Sequence, residues 1–230
     1  MAFVSKRMKK MAEGLDLTKA YTVRDAIDVL KSKSTVKFDE SVDVAIVLGI
    51  DVSKSDQNVR GMVALPNGTG KTVRVAVFAK SEKAADAKVA GADIVGDDDL
   101  IEKVSKGFLD FDRVIATPDM MAALGKVAKI LGPKGLMPNP KLGTVSTDVK
   151  GAVLRAKAGE VEFRAEKGGV VHAGIGKLSF GTDKLAENFK ALASAIVKAK
   201  PATSKGVFIK KAAISTTQGV GIKLETSEVK

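Results

Sequence analysis

The residues able to do chemistry are few, and they are badly assorted for catalysis. His172 is the single histidine and cysteine is absent. A Cys/His metal site and a nucleophile–histidine relay therefore both lack parts. The run Asp97-Asp98-Asp99 stands before an apolar-periodic segment, where a helix dipole accounts for acids without a metal. Gly68-Thr69-Gly70-Lys71-Thr72 resembles part of a phosphate-cradling loop. That loop needs a glycine at position 65, where Leu65 stands, and must open a helix, whereas a β-branched run follows here. After that run come Lys80-Ser81-Glu82, with no glycine to let a backbone approach a pyrophosphate. The residues predict no catalytic group, no metal, no cofactor and no small-molecule substrate.

Charge points to a different chemistry. Lys and Arg number 38 against 27 Asp and Glu, a net +11, which favours phosphate-rich partners. An anionic membrane would call for a basic amphipathic helix with bulky apolar anchors. The best such stretch, residues 5–13, offers only Met8 and Met11. No apolar run approaches the roughly 18 residues that span a bilayer. Lys6, Arg7, Lys9 and Lys10 precede no uninterrupted apolar stretch, so no signal peptide is expected. The lack of cysteine suits a cytosolic protein.

Three segments carry residues suited to RNA. Lys37-Phe38 closes a polar stretch before a strand. Phe38 is either a core residue or an exposed ring on which a base stacks. Arg164, Lys167 and His172 surround a Lys-Gly-Gly turn, and are either a solvated face or phosphate contacts. Thr216-Thr217-Gln218-Gly219 is either a plain turn or a place where small hydroxyls and glycine admit an RNA sugar edge. Separately, residues 132–143 hold three prolines and three glycines, which fix a shaped loop.

The elements that position these groups follow from periodicity. Residues 73–79 are apolar and β-branched, as in a strand buried on both faces. A helix follows over 82–90, a strand over 93–95, a helix from Asp97 to about position 106, and a strand over 112–116. Thr117-Pro118-Asp119 then signals a helix start, with its end at Gly132-Pro133. Alternating strands and helices predict a parallel sheet with right-handed crossovers. The flanks read differently. Val42, Val44, Ile46, Leu48 and Ile50 alternate, as in a half-buried strand, and residues 59–65 suggest another. Thr22 caps a helix to about position 31. Residues 161–165 and 169–173 predict a hairpin. Leu185, Phe189, Leu192 and Ile196 form one face of a helix starting at Thr182, and strands over 207–214 and 220–224 finish the chain. Neither flank has enough strands for a sheet alone.

The expected fold is therefore two domains, mixed α/β and α+β. Residues 1–67 and 160–230 make a discontinuous domain, an antiparallel sheet with helices. Residues 68–159 make an inserted Rossmann-like, three-layer α/β/α domain, entered and left through glycine-bearing crossings at 67–70 and 158–159. The outer stretches hold 23 Lys and Arg against 16 Asp and Glu, and the insert 15 against 11, so the outer domain is the more basic.

At these residues the chain resembles the L-one family of large-ribosomal-subunit proteins. The carriers are ILGPKGLMPNPKLGTV (130–145), SDQNVRGMVALPNGTGKTVRVAVFA (55–79), AGADIVG (90–96) and EFRAEKGGVVHAGIGK (162–177). Together they are specific, and the likeness spans nearly the whole chain. It implies a discontinuous host domain with an insert. It also implies a ribosome-associated, structural role: binding large-subunit ribosomal RNA at the mobile stalk beside the tRNA exit site and assisting tRNA release there. Repression of the protein's own operon message is implied as well. By motif, the resemblance places RNA contacts at Lys37, Phe38 and Ser41, at Arg164, Lys167, His172 and Lys177, and at Thr216, Thr217 and Gly219, with Arg60 a weaker match. Gln218 belongs to the same turn, but stands where the family usually has methionine. Two rivals to this function are an enzyme using the insert for a nucleotide and a general nucleic-acid packaging protein.

Overall fold

The structure is a computed structural model that describes residues 5–229. In chain order it begins with α1 (Lys6–Ala12), α2 (Val23–Lys33), β1 (Ser41–Leu48) and β2 (Arg60–Ala64). Next come β3 (Val75–Phe78), α3 (Ser81–Val89), β4 (Ile94–Gly96), α4 (Asp98–Ser105) and β5 (Arg113–Ala116). Two short helical turns, α5 (Met121–Leu124) and α6 (Ala128–Leu131), precede α7 (Val149–Lys157). The chain closes with β6 (Glu160–Arg164), β7 (Val170–Lys177), α8 (Thr182–Lys198), β8 (Ile209–Thr216) and β9 (Ile222–Leu224). It divides into two compact units: the stretches up to Gly70 and from Val161 onward form one, and Lys71–Glu160 the other.

The first unit is built on an antiparallel sheet of order β7-β1-β8-β9. Its register follows from alternation. Val42, Val44, Ile46 and Leu48 of β1 are buried, as are Val171, Ala173 and Ile175 of β7 and Ala212 and Ile214 of β8. Slipping one residue would turn all of them to the other face. Against this apolar face lie Ala26, Ile27 and Leu30 of α2, and Leu185, Phe189, Leu192 and Ile196 of α8. Burying each large side chain contributes about 1.5–3 kcal/mol, so α8 is anchored by four such groups. The Thr22 side chain accepts from the Asp25 N–H and caps α2. The opposite face presents Ser41, Asp43, Ala45 and Val47 of β1, His172 and Gly174 of β7, and Lys211, Ala213 and Ser215 of β8. Asp43, His172 and Lys211 on that face are exposed.

The second unit is a parallel sheet of order β4-β3-β5. Val75, Val77 and Ala79 pack against Ala87 of α3 and against Val149, Ala152, Val153 and Ala156 of α7. Ala76 and Phe78 face the other way, onto Leu100, Ile101 and Val104 of α4 and onto Met120, Leu124 and Leu131. The result is three layers, α/β/α. Two carboxylates clamp the start of β3. Asp93 Oδ2 accepts from the Val75 N–H at 2.9 Å, and Asp112 Oδ2 accepts from the Arg74 N–H at 3.0 Å.

Several expectations need correction. The single helix expected from Thr117 to position 131 is broken into a 3₁₀ turn (Pro118–Met120), α5, a second 3₁₀ turn (Gly125–Val127) and α6. Gly125 interrupts it, glycine being a poor residue for a helix interior. Thr117 makes no capping bond, since its Oγ1 is buried without a partner. Asp97 likewise makes no side-chain cap; Asp98 and Asp99 occupy the first turn of α4 instead. The hairpin expected over 161–165 and 169–173 is present but short: an antiparallel Ala165–Val171 bridge, a Glu166 N–H bond to Val170 O at 2.9 Å and a Gly169 N–H bond to Glu166 O at 2.8 Å close it. Beyond it β6 pairs with β2, and β7 with β1. The buried Asn188 side chain accepts from the Asn67 N–H and donates to Gly68 O, both at 3.0 Å. Helix α7 was not expected. Its signals are Asp148, which caps Gly151 N–H, and the spacing of Val149, Ala152, Val153 and Ala156.

Candidate nucleic-acid interface

The end of the sheet where β1 begins gathers one group of polar and aromatic residues. Ser41 stands opposite Lys177 of β7, and its neighbour Val42 stands opposite Thr216 of β8. Lys177 Nζ donates to Ser41 Oγ at 3.0 Å and to Asp39 O at 3.3 Å. The Ser41 N–H donates to Thr217 Oγ1 at 3.0 Å, and the Thr217 N–H returns a bond to Ser41 O at 3.0 Å. The β8–β9 turn is thereby stitched to the start of β1.

Beneath this edge lies Glu40, only 1% exposed. Its Oε1 accepts from the Gln218 N–H at 2.8 Å, and its Oε2 from the Ser34 hydroxyl at 2.7 Å. A buried carboxylate is tolerated when its lone pairs are met, and Glu40 ties the turn at 216–219 to the segment preceding β1. Next to it Asp39 accepts from both the N–H and the hydroxyl of Ser179, at 3.2 and 2.7 Å. The segment carrying Lys37 and Phe38 is thus fixed at its C-terminal end, and Phe38 stands 50% exposed. A large ring left that open has no part in the core.

Thr216 behaves differently from its neighbours. It is 5% exposed, its Oγ1 has no partner, and it presses against Gly219, where an added Cβ would come within 2.1 Å of that oxygen. Gly219 is required by this close approach. Thr217 and Gln218 face solvent; Thr216 does not.

A second group lies at the far end of β1. His172 stands opposite Ala45, and the turn after β6 adjoins Leu48, whose N–H donates to Gly169 O at 2.8 Å. At about 3.3 Å per residue, the seven steps from Ser41 to Leu48 put roughly 23 Å between Ser41 and this turn. Arg164 and Lys167 belong here, with exposed side chains that make no hydrogen bond or ion pair among the described residues. His172 Nε2 lies 4.0 Å from Glu166 Oε2. Arg60 of β2 also falls in this region, but it is half-buried and paired with Glu162 at 2.8 Å. Most of the expected residues thus fall in two groups at the two ends of β1, with Asp43, Ala45 and Gly174 facing outward between them.

Sequence reasoning did not single out Glu40, Asp39 or Arg7 for this site. Arg7 of α1 donates to the side-chain oxygen of Gln218 and, at 3.0 Å, to its backbone carbonyl. A contact spanning 211 positions leaves no trace in local spacing. Lys211 and Lys223 are exposed residues of β8 and β9. Strict alternation around Ala212, Ile214, Ile222 and Leu224 would have placed them outward.

An open face with its groups spread along a strand is not the concave, mostly apolar enclosure that small ligands require. It offers an exposed ring, an amide and hydroxyls at one end and the free cations Arg164 and Lys167 at the other, which suits a polymer with bases, sugars and phosphates. Among the described residues no group of three or more His, Cys, Asp or Glu could hold a metal ion, and no helix is long and apolar enough to cross a membrane.

Comparison with known proteins agrees with that chemistry. Residues 30–220 match the model of the ribosomal protein L1p/L10e family. Over its full 230 residues the chain is 57% identical to the "Large ribosomal subunit protein uL1" of Macrococcus caseolyticus (strain JCSC5402), covering all of that protein. These matches take in both flanks and the middle of the chain, β1 and the turn at 216–219 included: the chain belongs to the ribosomal protein L1p/L10e family, a family of ribosomal proteins and not of enzymes.

Proposed function

We propose that this protein is a structural constituent of the large ribosomal subunit that binds large-subunit ribosomal RNA through the sheet of its first unit. On this reading the stretches 1–67 and 160–230 are one RNA-binding domain and 68–159 is a domain inserted into it. The observation that carries the reading is the edge formed by Phe38, Ser41, Lys177, Thr217 and Gln218, organised from beneath by Glu40. Phe38 offers a stacking platform for a base, Lys37 and Lys177 meet phosphates, and Thr217 and Gln218 meet the sugar edge. Arg164, Lys167 and His172 extend the track along β7.

The family resemblance supports the finer parts of the proposal. The RNA site is the mobile stalk beside the tRNA exit site, where the protein assists release of tRNA by positioning rather than by chemistry. A message that folds like the stalk site competes for the same surface, so the protein represses its own operon. It works in the cytoplasm, on the ribosome.

The test is binding to large-subunit ribosomal RNA with excess random RNA as competitor. Specific binding should survive the competitor, while log affinity should fall linearly with log salt as phosphate contacts are screened. Loss of binding to equal amounts of random RNA would show a general packaging protein instead, and a flat salt response would remove the assigned phosphate contacts.

A further inference from the structure

Gln218 has an unusual degree of restraint for an exposed side chain. Its backbone N–H donates to the buried Glu40 carboxylate, and its backbone carbonyl accepts from Arg7 Nη2 at 3.0 Å. Its side-chain oxygen accepts from Arg7 Nη1. A guanidinium carries only donors, so whichever way the amide is drawn, the group turned to Arg7 must be the oxygen. The amide nitrogen, with two N–H groups, then points away and has no partner among the described residues. The Thr217 N–H and the Gly219 N–H are also used within the protein, by Ser41 O and Thr216 O. What the turn offers a ligand is therefore a held, outward-facing amide donor.

We propose that Arg7 is a positioning residue for RNA recognition. It holds Gln218 so that Nε2 donates a hydrogen bond to an acceptor on the RNA sugar edge, a ribose 2′-oxygen or a base oxygen or nitrogen exposed beside it. The inference rests on the RNA-binding reading given above and deepens it. The bidentate hold requires the planar fork of arginine, because a lysine keeps the charge but cannot bond the side-chain oxygen and the carbonyl in the same geometry. An arginine serving only as a general attraction for phosphate would tolerate that exchange.

The experiment uses the full chain and large-subunit ribosomal RNA, with affinity and melting temperature measured for Arg7→Lys, Gln218→Met and the double variant. Both side chains are exposed, so the melting temperatures should stay close to the parent's. Each single variant should bind about fivefold more weakly, the worth of one hydrogen bond. The double variant should bind no worse than either single one, because Arg7 acts through Gln218. Replacing ribose by 2′-deoxyribose across the protein-protected segment should close the gap between the parent and Gln218→Met if the 2′-oxygen is the acceptor. A gap that persists assigns the bond to a base edge, and both outcomes uphold the pair. Unchanged affinity of Arg7→Lys, or losses that multiply in the double variant, would overturn the proposal while leaving RNA binding intact. If the unmodified chain shows no preference for ribosomal over random RNA, the RNA reading itself falls, and this inference falls with it.

Discussion

Replacing Glu40 by alanine should loosen the β8–β9 turn, and the size of the effect can be worked from the bonds lost. Glu40 is buried and accepts two hydrogen bonds, from the Ser34 hydroxyl at 2.7 Å and from the Gln218 N–H at 2.8 Å. Bonds to a charged acceptor are worth about 1.5–3 kcal/mol each. Part of that is offset because the carboxylate no longer has to be desolvated. A net loss of about 2–3 kcal/mol remains, equivalent to roughly 5–10 °C in melting temperature for a unit of this size. RNA then has to order the released turn. At about 1 kcal/mol of backbone entropy per residue, freeing Gln218 and its two neighbours should weaken binding by roughly a hundredfold. Glu40→Gln separates geometry from charge. Its oxygen still accepts from the Gln218 N–H, and its amide can donate to the Ser34 oxygen, reversing that bond. Both partners stay satisfied, and affinity should lie close to the parent's. Thermal unfolding and gel-shift titration of both variants would check this. Unchanged RNA affinity for Glu40→Ala would refute the role given to Glu40, and equal damage from Glu40→Gln would show that charge matters there rather than shape.

Phe38→Ala should weaken binding of ribosomal RNA by about 1–3 kcal/mol, the worth of one stacked base, with little change in melting temperature because the ring is half exposed; a sharp fall in melting temperature would mean that the ring packs inside. Thr216→Val should raise thermal stability slightly, since the hydroxyl it removes is buried and unpartnered, and should leave RNA affinity unchanged; a loss of affinity would show that this hydroxyl turns out to meet RNA. The second unit should be sensitive to acid. The Arg74 N–H and guanidinium hold the Asp112 carboxyl below its usual 3.8, and the Val75 N–H does the same for Asp93, assisted by Lys157. A carboxylate whose pKa is lowered by folding stabilises the fold at pH above its ordinary value. That contribution is lost as pH falls through the lowered one. Melting temperature followed below about pH 4 should fall less steeply in Asp112→Asn, already weakened at neutral pH, than in the parent; parallel curves would exclude Asp112.

Much of the architecture was legible because burial imposes periodicity. The alternation of β1 marks its inward face without ambiguity, and the run before Lys80 marks a strand covered on both sides. The Leu185, Phe189, Leu192 and Ile196 spacing marks the face of α8 that meets the sheet. What local pattern could not supply was pairing. The Lys-Gly-Gly turn does close a short hairpin end, but beyond it β6 leaves for β2 while β7 joins β1. The segment after Thr117 carries three start signals but breaks at Gly125 once Met120, Leu124 and Leu131 settle into one core. The site divided along similar lines. Phe38, Lys177 and Thr217 could be named from residue type and resemblance. Glu40 looks like one more acid beside Asp39 until Ser34 and Gln218 close over it. Thr216, grouped with Thr217 by composition, turns inward because residues along a strand alternate.

The most direct test is to cross-link the full chain to large-subunit ribosomal RNA with ultraviolet light and identify the attached peptides by mass spectrometry. Peptides containing Phe38 and the turn at 216–219 should carry the RNA, with a weaker set from residues 164–172. Cross-links confined to residues 71–160, with none at Phe38 or the β8–β9 turn, would place recognition on the other unit and contradict the interface described here.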